Sequence, residues 1–265
     1  MICARIWGMR ISACKTRMNL YETKRKDKAA IKKLNHTLAQ NGFAIVPGVL
    51  EPADLARLIS LLGQADDQTS IRRRGGVYAI RNLLDVVPQL RHLATSPDIQ
   101  ALVQPALGPQ AFPVRGILFD KTPEANWKVP WHQDLSIAVK ERREVAGFGP
   151  WSTKAGVLHV QPPVSVLESM LAVRIHLDDC RESNGPVRVI PGSHLKGRLN
   201  TEQIHRISAG PAVSGTVAAG GVLLMRPLLL HASSASQSPR HRRVIHLEFA
   251  SGALPGGLTW FTENY

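Results

Sequence analysis

The stretch VPWHQDLSIAV, residues 129–139, largely alternates apolar and polar side chains and therefore predicts a β-strand. On a strand, residues two apart face the same side, so His132 and Asp134 are expected to share one face. An imidazole and a carboxylate placed together on a largely apolar strand have two uses. They pair with each other as a structural hydrogen bond, or they hold a metal ion between them. The stretch by itself leaves both alternatives open.

Gly108 divides the chain into a mainly helical part and a part rich in short strands. Before it, helical spacing of apolar residues occurs in DKAAIKKLNHTLAQNG, EPADLARLISLLG and SPDIQALVQPALG, and FAIVPGVL predicts one short strand. After it, strand-like runs occur in FPVRGILF, VPWHQDLSIAV, SMLAVRIHLDD, GPVRVIPG, GTVAAGGVLLM, PLLLHAS and RRVIHLEFA. This order predicts a mainly β fold with flanking helices (α+β), in which helices pack on an antiparallel sandwich or barrel.

The formal charge of +13 is concentrated at the start of the chain. Residues 1–36 hold ten Lys or Arg and two Asp or Glu, which is +8 of that charge. We therefore expect a basic extension over residues 1–38, partly helical or disordered, followed by a single domain over residues 39–265. A solvated basic leader is favoured over a nucleic-acid-binding arm. Met18 is an alternative start of the chain.

The cysteine and apolar patterns favour a cytoplasmic protein. Cys3, Cys14 and Cys180 include no C-x-x-C pair, so a disulfide scaffold and a thiolate zinc site are not expected. The first residues make a poor secretory signal. No apolar run reaches the 18 or more residues of a membrane span. The oligomeric state stays open between monomer and homodimer.

A metal site needs a third ligand, because two from one strand do not make a stable site. The candidate is His231, which ends the apolar run LLLH and lies 97 residues after Asp134. Two imidazoles and one carboxylate on one face of an octahedron leave three positions open, which suits non-haem Fe(II) and oxygen activation. Zinc accepts the same ligands, but its catalytic sites keep fewer positions open.

Two other pairs have a similar spacing: His176 with Asp178 in RIHLDD, and His246 with Glu248 in VIHLEF. A barrel needs several strands between its ligand pair and the returning histidine, and His176 comes too late to provide them. Asp178 also leads directly into the turn DCRESNGP. We therefore favour the first pair, and expect these histidines to lie in the barrel interior or core.

Arg242 adds a reason to expect an oxygenase. It lies eleven residues after His231 and opens the strand RRVIHLEFA. Oxygen activation at iron needs electrons, and 2-oxoglutarate is a common source. Its distal carboxylate is best bound by a buried, permanently charged, forked donor such as arginine. Ser233 shares the face of His231 if the strand continues, and its hydroxyl can bind the same carboxylate.

These motifs together resemble the phytanoyl-CoA dioxygenase family of Fe(II)/2-oxoglutarate oxygenases. They are HQD at residues 132–134, LDDCRESNGPVRVIPGSHLKG at residues 177–197, and HAS at residues 231–233 with Arg242 beyond it. The likeness runs from about Asn41 to about Phe249. It implies a double-stranded β-helix (jelly-roll, cupin-like) core flanked by helices.

The resemblance also implies roles for individual residues. His132, Asp134 and His231 would bind Fe(II), and 2-oxoglutarate and O2 would be co-substrates. The other residues expected near the cofactors are Arg242 and Ser233 on the 2-oxoglutarate carboxylate, Gln133 beside the metal, and Arg174 where the family's phytanoyl-CoA member has a tryptophan near the co-substrate. Lys121, on the strand RGILFDK, is a further candidate to reach an acidic group of 2-oxoglutarate or of the substrate.

The implied reaction is hydroxylation of an unactivated C–H of a small molecule, with release of succinate and CO2. The substrate class implied is lipid, amino-acid-derived or natural-product-like. Halogenating relatives replace the carboxylate at the position of Asp134 with a small residue, so its presence here favours hydroxylation, or another outcome that begins with hydrogen abstraction, over halogenation. The alternative is a barrel without this activity, such as a metal-binding cupin-like sensor or a ligand-binding module. Arg242 argues against that alternative, because simple metal binding needs no such residue.

Substrate contacts are expected from a lid. Residues 140–165 follow the metal-binding strand, contain Gly and Pro, and predict a long connection of the kind that often covers an active site. Trp151, His159 and Gln161 are its candidate substrate-binding residues. His176 is a fourth candidate, placed in the barrel interior.

Overall fold

A computed structural model describes residues 28–66, 70–74 and 76–262. Seven helices are present in these residues: α1 Lys28–Asn41, α2 Pro52–Gly63, α3 Leu83–Val86, α4 Leu90–Ala94, α5 Pro97–Leu107, α6 Val164–Glu168 and α7 Thr201–Ser208. The first 27 residues of the predicted basic extension lie outside the described residues. Within the described residues, no helix is both long and apolar enough to cross a membrane.

Fourteen strands are present in the same residues. They are β1 Phe43–Val46, β2 Ile71–Arg74, β3 Gly76–Ile80, β4 Phe112–Asp120, β5 Val129–His132, β6 Ile137–Val139, β7 Trp151–Lys154, β8 Val157–Val160, β9 Met170–His176, β10 Val187–Val189, β11 Val213–Gly215, β12 Val222–Met225, β13 His231–Ser233 and β14 Arg243–Ala250.

The strands form a large sheet, a small sheet and a hairpin layer. The large sheet has seven strands in the order β1-β12-β9-β14-β4-β3-β2, and the small sheet has the order β11-β10-β13-β5. A three-stranded sheet, β6-β8-β7, completes the set. The pairings of these strands are antiparallel. The prediction of a mainly β fold with flanking helices and a jelly-roll core is therefore confirmed.

The two faces of the large sheet have different partners because side chains alternate along each strand. On β9, the odd-numbered Leu171, Val173 and Ile175 belong to the core cluster that contains the apolar faces of the helices. The even-numbered Ala172 belongs to the cluster that joins the large sheet to the small one. Arg174 and His176, which share its parity, therefore face the interior between the two sheets.

Sequence periodicity located the long helices because each carries an apolar stripe and a stop signal. α1 ends at Asn41 and is followed by Gly42 at φ 80°, a conformation that favours glycine. In α5, Ser96 is the N-cap and its hydroxyl accepts from the amide of Ile99 at 3.5 Å. α1 crosses the predicted boundary at residue 38, and Leu38 is buried in the core.

Two predictions on the metal-binding side were wrong. Residues 129–139 are not one strand: β5 ends at His132 and β6 begins at Ile137, and the backbone between them turns away from the small sheet. Residues 140–165 are not a long irregular connection, because β7 and β8 form a hairpin within them. The alternation of side chains within one stretch does not show which strand that stretch pairs with. Here β5 pairs with the distant β13, and β7 pairs with β8.

We predict that Phe249→Ala lowers the free energy of unfolding by about 3–5 kcal/mol, because the substitution leaves a cavity in the densest part of the core. The Phe249 side chain is 0% exposed on the central strand β14. Urea unfolding followed by circular dichroism measures the effect. Leu195→Ala is the matched control, since Leu195 is 70% exposed. Equal costs for the two variants would contradict the assigned core.

Candidate metal and co-substrate site

Two histidines and one aspartate meet at the open edge of the small sheet. One ligand atom from each of His132, Asp134 and His231 lies within 4.8 Å of the others. The carboxylate oxygens of Asp134 are 3.7 Å from Nε2 of His132 and 3.7 Å from Nε2 of His231. Among the described residues, this is the one grouping of three His, Cys, Asp or Glu side chains that can hold a metal ion.

Strand pairing brings the two imidazoles together. β5 and β13 are antiparallel neighbours in which His132 is paired directly with His231, and the ring centroids are 4.1 Å apart. Each Nδ1 lies 2.9 Å from the carbonyl oxygen two residues earlier, that of Pro130 or of Leu229. A protonated Nδ1 donates to that carbonyl, so the free Nε2 of each ring faces Asp134 as a metal ligand requires.

Asp134 is positioned by the backbone and by the residue before it. Its amide donates to the carbonyl of Pro227 at 2.9 Å. The Gln133 amide group donates to the carbonyls of Gly197 and Leu228 at 2.8 and 2.6 Å and accepts from the amide of Leu199 at 2.8 Å. These contacts differ from the cofactor contact expected for Gln133. They favour a role in which this buried side chain fixes the turn that carries Asp134.

The protonation states match those of metal ligands. Burial raises the pKa of Asp134, but the charges of His231 and of the other nearby bases outweigh it and hold that pKa below its ordinary value. Burial lowers the pKa of His231 to about 4, against the opposing charge of Asp134. At neutral pH the site therefore offers a carboxylate and a neutral His231 imidazole, the forms that bind a metal.

A second cluster, the cation cluster, lies beside the triad and consists of Lys121, Arg242 and Ser233. The Lys121 side chain is 0% exposed, and its ammonium group donates to the hydroxyl of Ser233 at 3.3 Å and to the carbonyl of Ser234. Arg242 is buried, and its guanidinium donates to the carbonyl of Gly185. Two buried cations are thus placed together next to one hydroxyl.

Asp120 fixes the backbone of Arg242. Its carboxylate accepts from the Arg242 amide at 3.0 Å and lies 2.7 Å from Nδ1 of His241. Asp178 is bound bidentately by the next arginine, Arg243, at 2.9 and 2.6 Å. That ion pair accounts for the His-x-Asp spacing at residues 176–178, which is therefore not a metal-ligand pair.

The cation cluster has the features of an anion site. Burial and, after it, the positive charge of Arg242 lower the pKa of Lys121 to about 7. Nε of Arg242 and Nε of the neighbouring Arg174 are buried and find no hydrogen-bond partner among the described residues. Buried donors are rarely left unpaired, so these atoms fit a carboxylate ligand. The two donor sets, triad and cations, thus suit a metal ion and a small dicarboxylate.

Arg174 is the link between the two clusters. Its guanidinium lies 2.9 Å from Nδ1 of His246 and 5.9 Å from the ring centre of Phe119. Burial and the charge of Arg242, opposed by the charge of Asp134, lower the pKa of Arg174 to about 10. The resemblance places Arg174 near the co-substrate; the structure buries this side chain in the barrel interior, and its contact with the co-substrate stays a prediction.

The remaining candidate residues occupy different places. Trp151 is half-buried on β7, with the guanidinium of Arg142 5.6 Å from its ring centre. His159 on β8 is buried, and Gln161 follows β8 with its backbone bonded to Gly149 and Pro150. His176 is buried, and neither of its ring nitrogens has a hydrogen-bond partner among the described residues.

Several interior residues were not identified from the sequence. Glu248 on β14 lies 3.4 Å from Arg115 of β4 and 3.4 Å from Nε2 of His246. A small cavity, large enough for about one water molecule, connects His246 and Glu248 with Asp134. The signal available in the sequence was that His246 and Glu248 are both even-numbered residues of β14 and therefore face the same side of the sheet. Without the pairing of β4 with β14, that signal did not connect them to Arg115.

The fold and the site define a class: a jelly-roll barrel that carries a two-histidine, one-carboxylate metal site open on one side. The model of the family described as phytanoyl-CoA dioxygenase (PhyH) matches residues 38–244. The chain therefore belongs to the phytanoyl-CoA dioxygenase family of Fe(II)/2-oxoglutarate-dependent oxygenases. No curated protein sequence matches the chain.

Three solved structures illustrate the shared fold. The non-heme alpha ketoglutarate dependent epimerase SnoN from nogalamycin biosynthesis is 21% identical with a TM-score of 0.64, over 86% of this chain and 83% of that one. AviO1 from Streptomyces viridochromogenes Tue57 is 24% identical with a TM-score of 0.61, over 86% and 97%. EctD from S. alaskensis is 18% identical with a TM-score of 0.65, over 83% and 76%. At these identities the likeness shows the fold alone.

We predict that the full chain binds one Fe(II) per molecule under anaerobic conditions, measured by calorimetric titration. His132→Ala and Asp134→Ala should each weaken that binding by more than about 100-fold, because losing only a hydrogen-bond partner of a ligand already costs roughly 10–100-fold. His205→Ala is the control, since His205 is exposed on α7. Unchanged Fe(II) affinity in both ligand variants would show that the triad is not the metal site.

Proposed function

We propose that the protein is an Fe(II)/2-oxoglutarate-dependent dioxygenase that hydroxylates an unactivated C–H of a small molecule and releases succinate and CO2. The observation that carries this proposal is the placement of the cation cluster beside the triad. A metal-binding sensor needs the triad but gains nothing from two buried cations next to it. A co-substrate with one metal-chelating end and one distal carboxylate needs both groups.

Each part of the site has a defined task in this reaction. His132, Asp134 and His231 would hold the metal ion. Lys121, Ser233 and Arg242 bind the distal carboxylate of 2-oxoglutarate and set its orientation toward the triad. When bound, iron and 2-oxoglutarate supply the activation of oxygen and the oxidation of the substrate.

The interior surroundings serve the same reaction by limiting water and competing ligands. Both imidazoles are oriented by carbonyl groups rather than by solvent. The two cations of the co-substrate site are buried, so an anion that binds there exchanges its water for fixed charges. The Asp134 carboxylate occupies the position that a halide would need. Hydroxylation is therefore proposed over halogenation.

The fold neighbours are relevant to the outcome of the oxidation. EctD has been solved with 2-oxoglutarate and 5-hydroxyectoine and with bound Fe, and SnoN has been solved with Fe3+, alpha ketoglutarate and nogalamycin RO. SnoN is an epimerase and SnoK a carbocyclase, so one fold serves several outcomes. The carboxylate of Asp134 argues against halogenation, and hydroxylation is the outcome that we propose for this chain.

Adding 2-oxoglutarate to the Fe(II)-loaded chain without oxygen is expected to produce a weak visible charge-transfer band. Arg242→Ala should raise the concentration of 2-oxoglutarate needed for half of this band by about 10–100-fold, since hydrogen bonds to charged groups are worth roughly 1.5–3 kcal/mol. Arg240→Ala is the matched control, because Arg240 is exposed on the same segment. A wild-type chain that binds Fe(II) but gives no band would refute the oxygenase proposal.

The affinity for 2-oxoglutarate should fall as the pH rises from about 6 to about 9, because only the ammonium form of Lys121 attracts the carboxylate. The pKa of Lys121 is about 7, so the charged form is present below that pH and is lost above it in the free protein. The decrease should reach at most about tenfold per pH unit.

Lys121→Gln should bind 2-oxoglutarate weakly and with little dependence on pH, whereas Lys196→Gln, a change at an exposed lysine, should keep the wild-type profile. Burial raises the pKa of Cys180 above its ordinary value and lowers that of His231 to about 4, so neither of these two groups accounts for a change between pH 6 and 9. An unchanged slope in Lys121→Gln would assign the dependence to another group.

A further inference from the structure

The barrel interior has a second group of cations at the end opposite the cation cluster. Arg115 of β4 faces inward beside Glu248, with which it is in register and whose carboxylate is 3.4 Å away. Arg115 is 7% exposed, and its Nε atom has no hydrogen-bond partner among the described residues. A buried guanidinium with a free donor is a group that a ligand can complete.

The β7–β8 hairpin adds two further basic groups over Arg115. Lys154 pairs with Val157 and Ser152 pairs with His159, so alternation places Lys154 and His159 on the same face of the hairpin. His159 is 0% exposed, and its Nε2 atom has no partner among the described residues. Burial and the charge of Arg115 lower its pKa to about 4, so at neutral pH it is uncharged.

Arg81 is the third cation of the group, because a hydrogen bond attaches the β7–β8 hairpin to the residue that follows Arg81. The side-chain amide of Asn82 donates to the carbonyl of Ala155, the residue after Lys154, at 3.1 Å. Ala79 and Ile80 pair with Phe119 and Leu118, so by alternation Arg81 shares the inward face of Ala79.

The three cations act on one another electrostatically. Burial lowers the pKa of Lys154, and the charges of Arg115 and Arg81 lower it further. Burial likewise lowers the pKa of Arg81, and Arg115 contributes again. Both groups are half-buried, so part of each side chain is accessible to solvent.

The positive charges are not balanced within this group. Glu248 shares its carboxylate between Arg115 and His246, and Asp134 belongs to the metal triad. Neither Lys154 nor Arg81 has an ion-pair partner among the described residues. Solvated surface charge explains exposed cations, but it does not explain the unpartnered buried atoms of Arg115 and His159.

We propose that Arg81, Arg115 and Lys154 form a subsite for an anionic group of the substrate, a carboxylate or a phosphate, with His159 as a neutral hydrogen-bonding partner. The proposal rests on the proposed oxygenase function and names the substrate class. It is separate from 2-oxoglutarate binding. Arg115 and Lys121 share the inward parity of β4 and are six residues apart, which is about 20 Å along a strand.

The test uses the full chain loaded with Fe(II) and saturated with 2-oxoglutarate without oxygen. Four probes of equal chain length are titrated by calorimetry: hexanoate, hexyl phosphate, hexanol and hexylamine. We expect at least one of the two anions to bind and the alcohol and the amine not to bind. Which anion binds more tightly distinguishes a carboxylate substrate from a phosphate substrate.

Lys154→Gln and Arg81→Gln should each weaken anion binding by about tenfold or more, since a hydrogen bond to a charged group is lost. Lys196→Gln, at an exposed lysine, is the control and should bind as the wild type does. Circular dichroism checks that each variant folds. Because two separate half-buried positions are changed, a folding defect in one variant does not decide the test. Binding of neither anion, or undiminished binding in both variants, would overturn the subsite.

The charge-transfer band with 2-oxoglutarate is recorded on the same samples. A band that persists in Lys154→Gln while anion binding is lost supports a subsite distinct from the co-substrate site. A normal band with no anion binding in the wild type refutes the subsite and leaves the oxygenase function standing. Anion binding that depends on Lys154 in a protein without the band supports the subsite and refutes the oxygenase function.

Discussion

The pairing of β5 with β13 is the constraint on which the site depends. It aligns His132 with His231, residues that are distant in sequence, and it does so on a short antiparallel ladder of the small sheet. The same ladder supplies the carbonyls of Pro130 and Leu229 that orient the two rings. A slip of one residue would turn one imidazole to the other face, so the register itself is part of the metal site.

The interior of this barrel contains charged side chains, and burying them costs free energy of folding. Desolvating a cation is expensive unless partners restore its hydrogen bonds. On the inward face of the large sheet, four side chains contact one another in a chain and restore some of the hydrogen bonds lost with water. They are Arg115, Glu248, His246 and Arg174. The buried atoms that the chain leaves unpaired are guanidinium nitrogens of Arg115 and Arg174. A fold optimised only for stability would fill this space with apolar side chains, so the charges indicate ligands.

The sequence was informative where the signal is local. Ser96 is a helix N-cap, and His132 and Asp134 form a short motif. Each signal lies within a few residues, so it was recognised from the sequence without knowing which residues pack against it. The same reasoning failed where long-range pairing decides. Alternation continues through residues 129–139, yet the strand ends at His132, because Gln133 is bonded to the backbone of residues 197–199 and 228. The pairing of Arg115 with Glu248 was hidden for the same reason. The β7–β8 hairpin is a local pairing of two four-residue strands, which are too short for a clear alternation.

The placement of charges along β4 unifies the functional proposals. Lys121 at one end lies beside Ser233 and shares the co-substrate cluster with Arg242, while Arg115 at the other end lies under the β7–β8 hairpin. Asp134 interacts electrostatically with Arg174 and His246, and Arg174 interacts in turn with Arg242. The two proposed anion-binding groups are thus separated along the direction of one strand. In the proposed function, an anionic substrate and 2-oxoglutarate would therefore bind to different cations and would not compete for the same site.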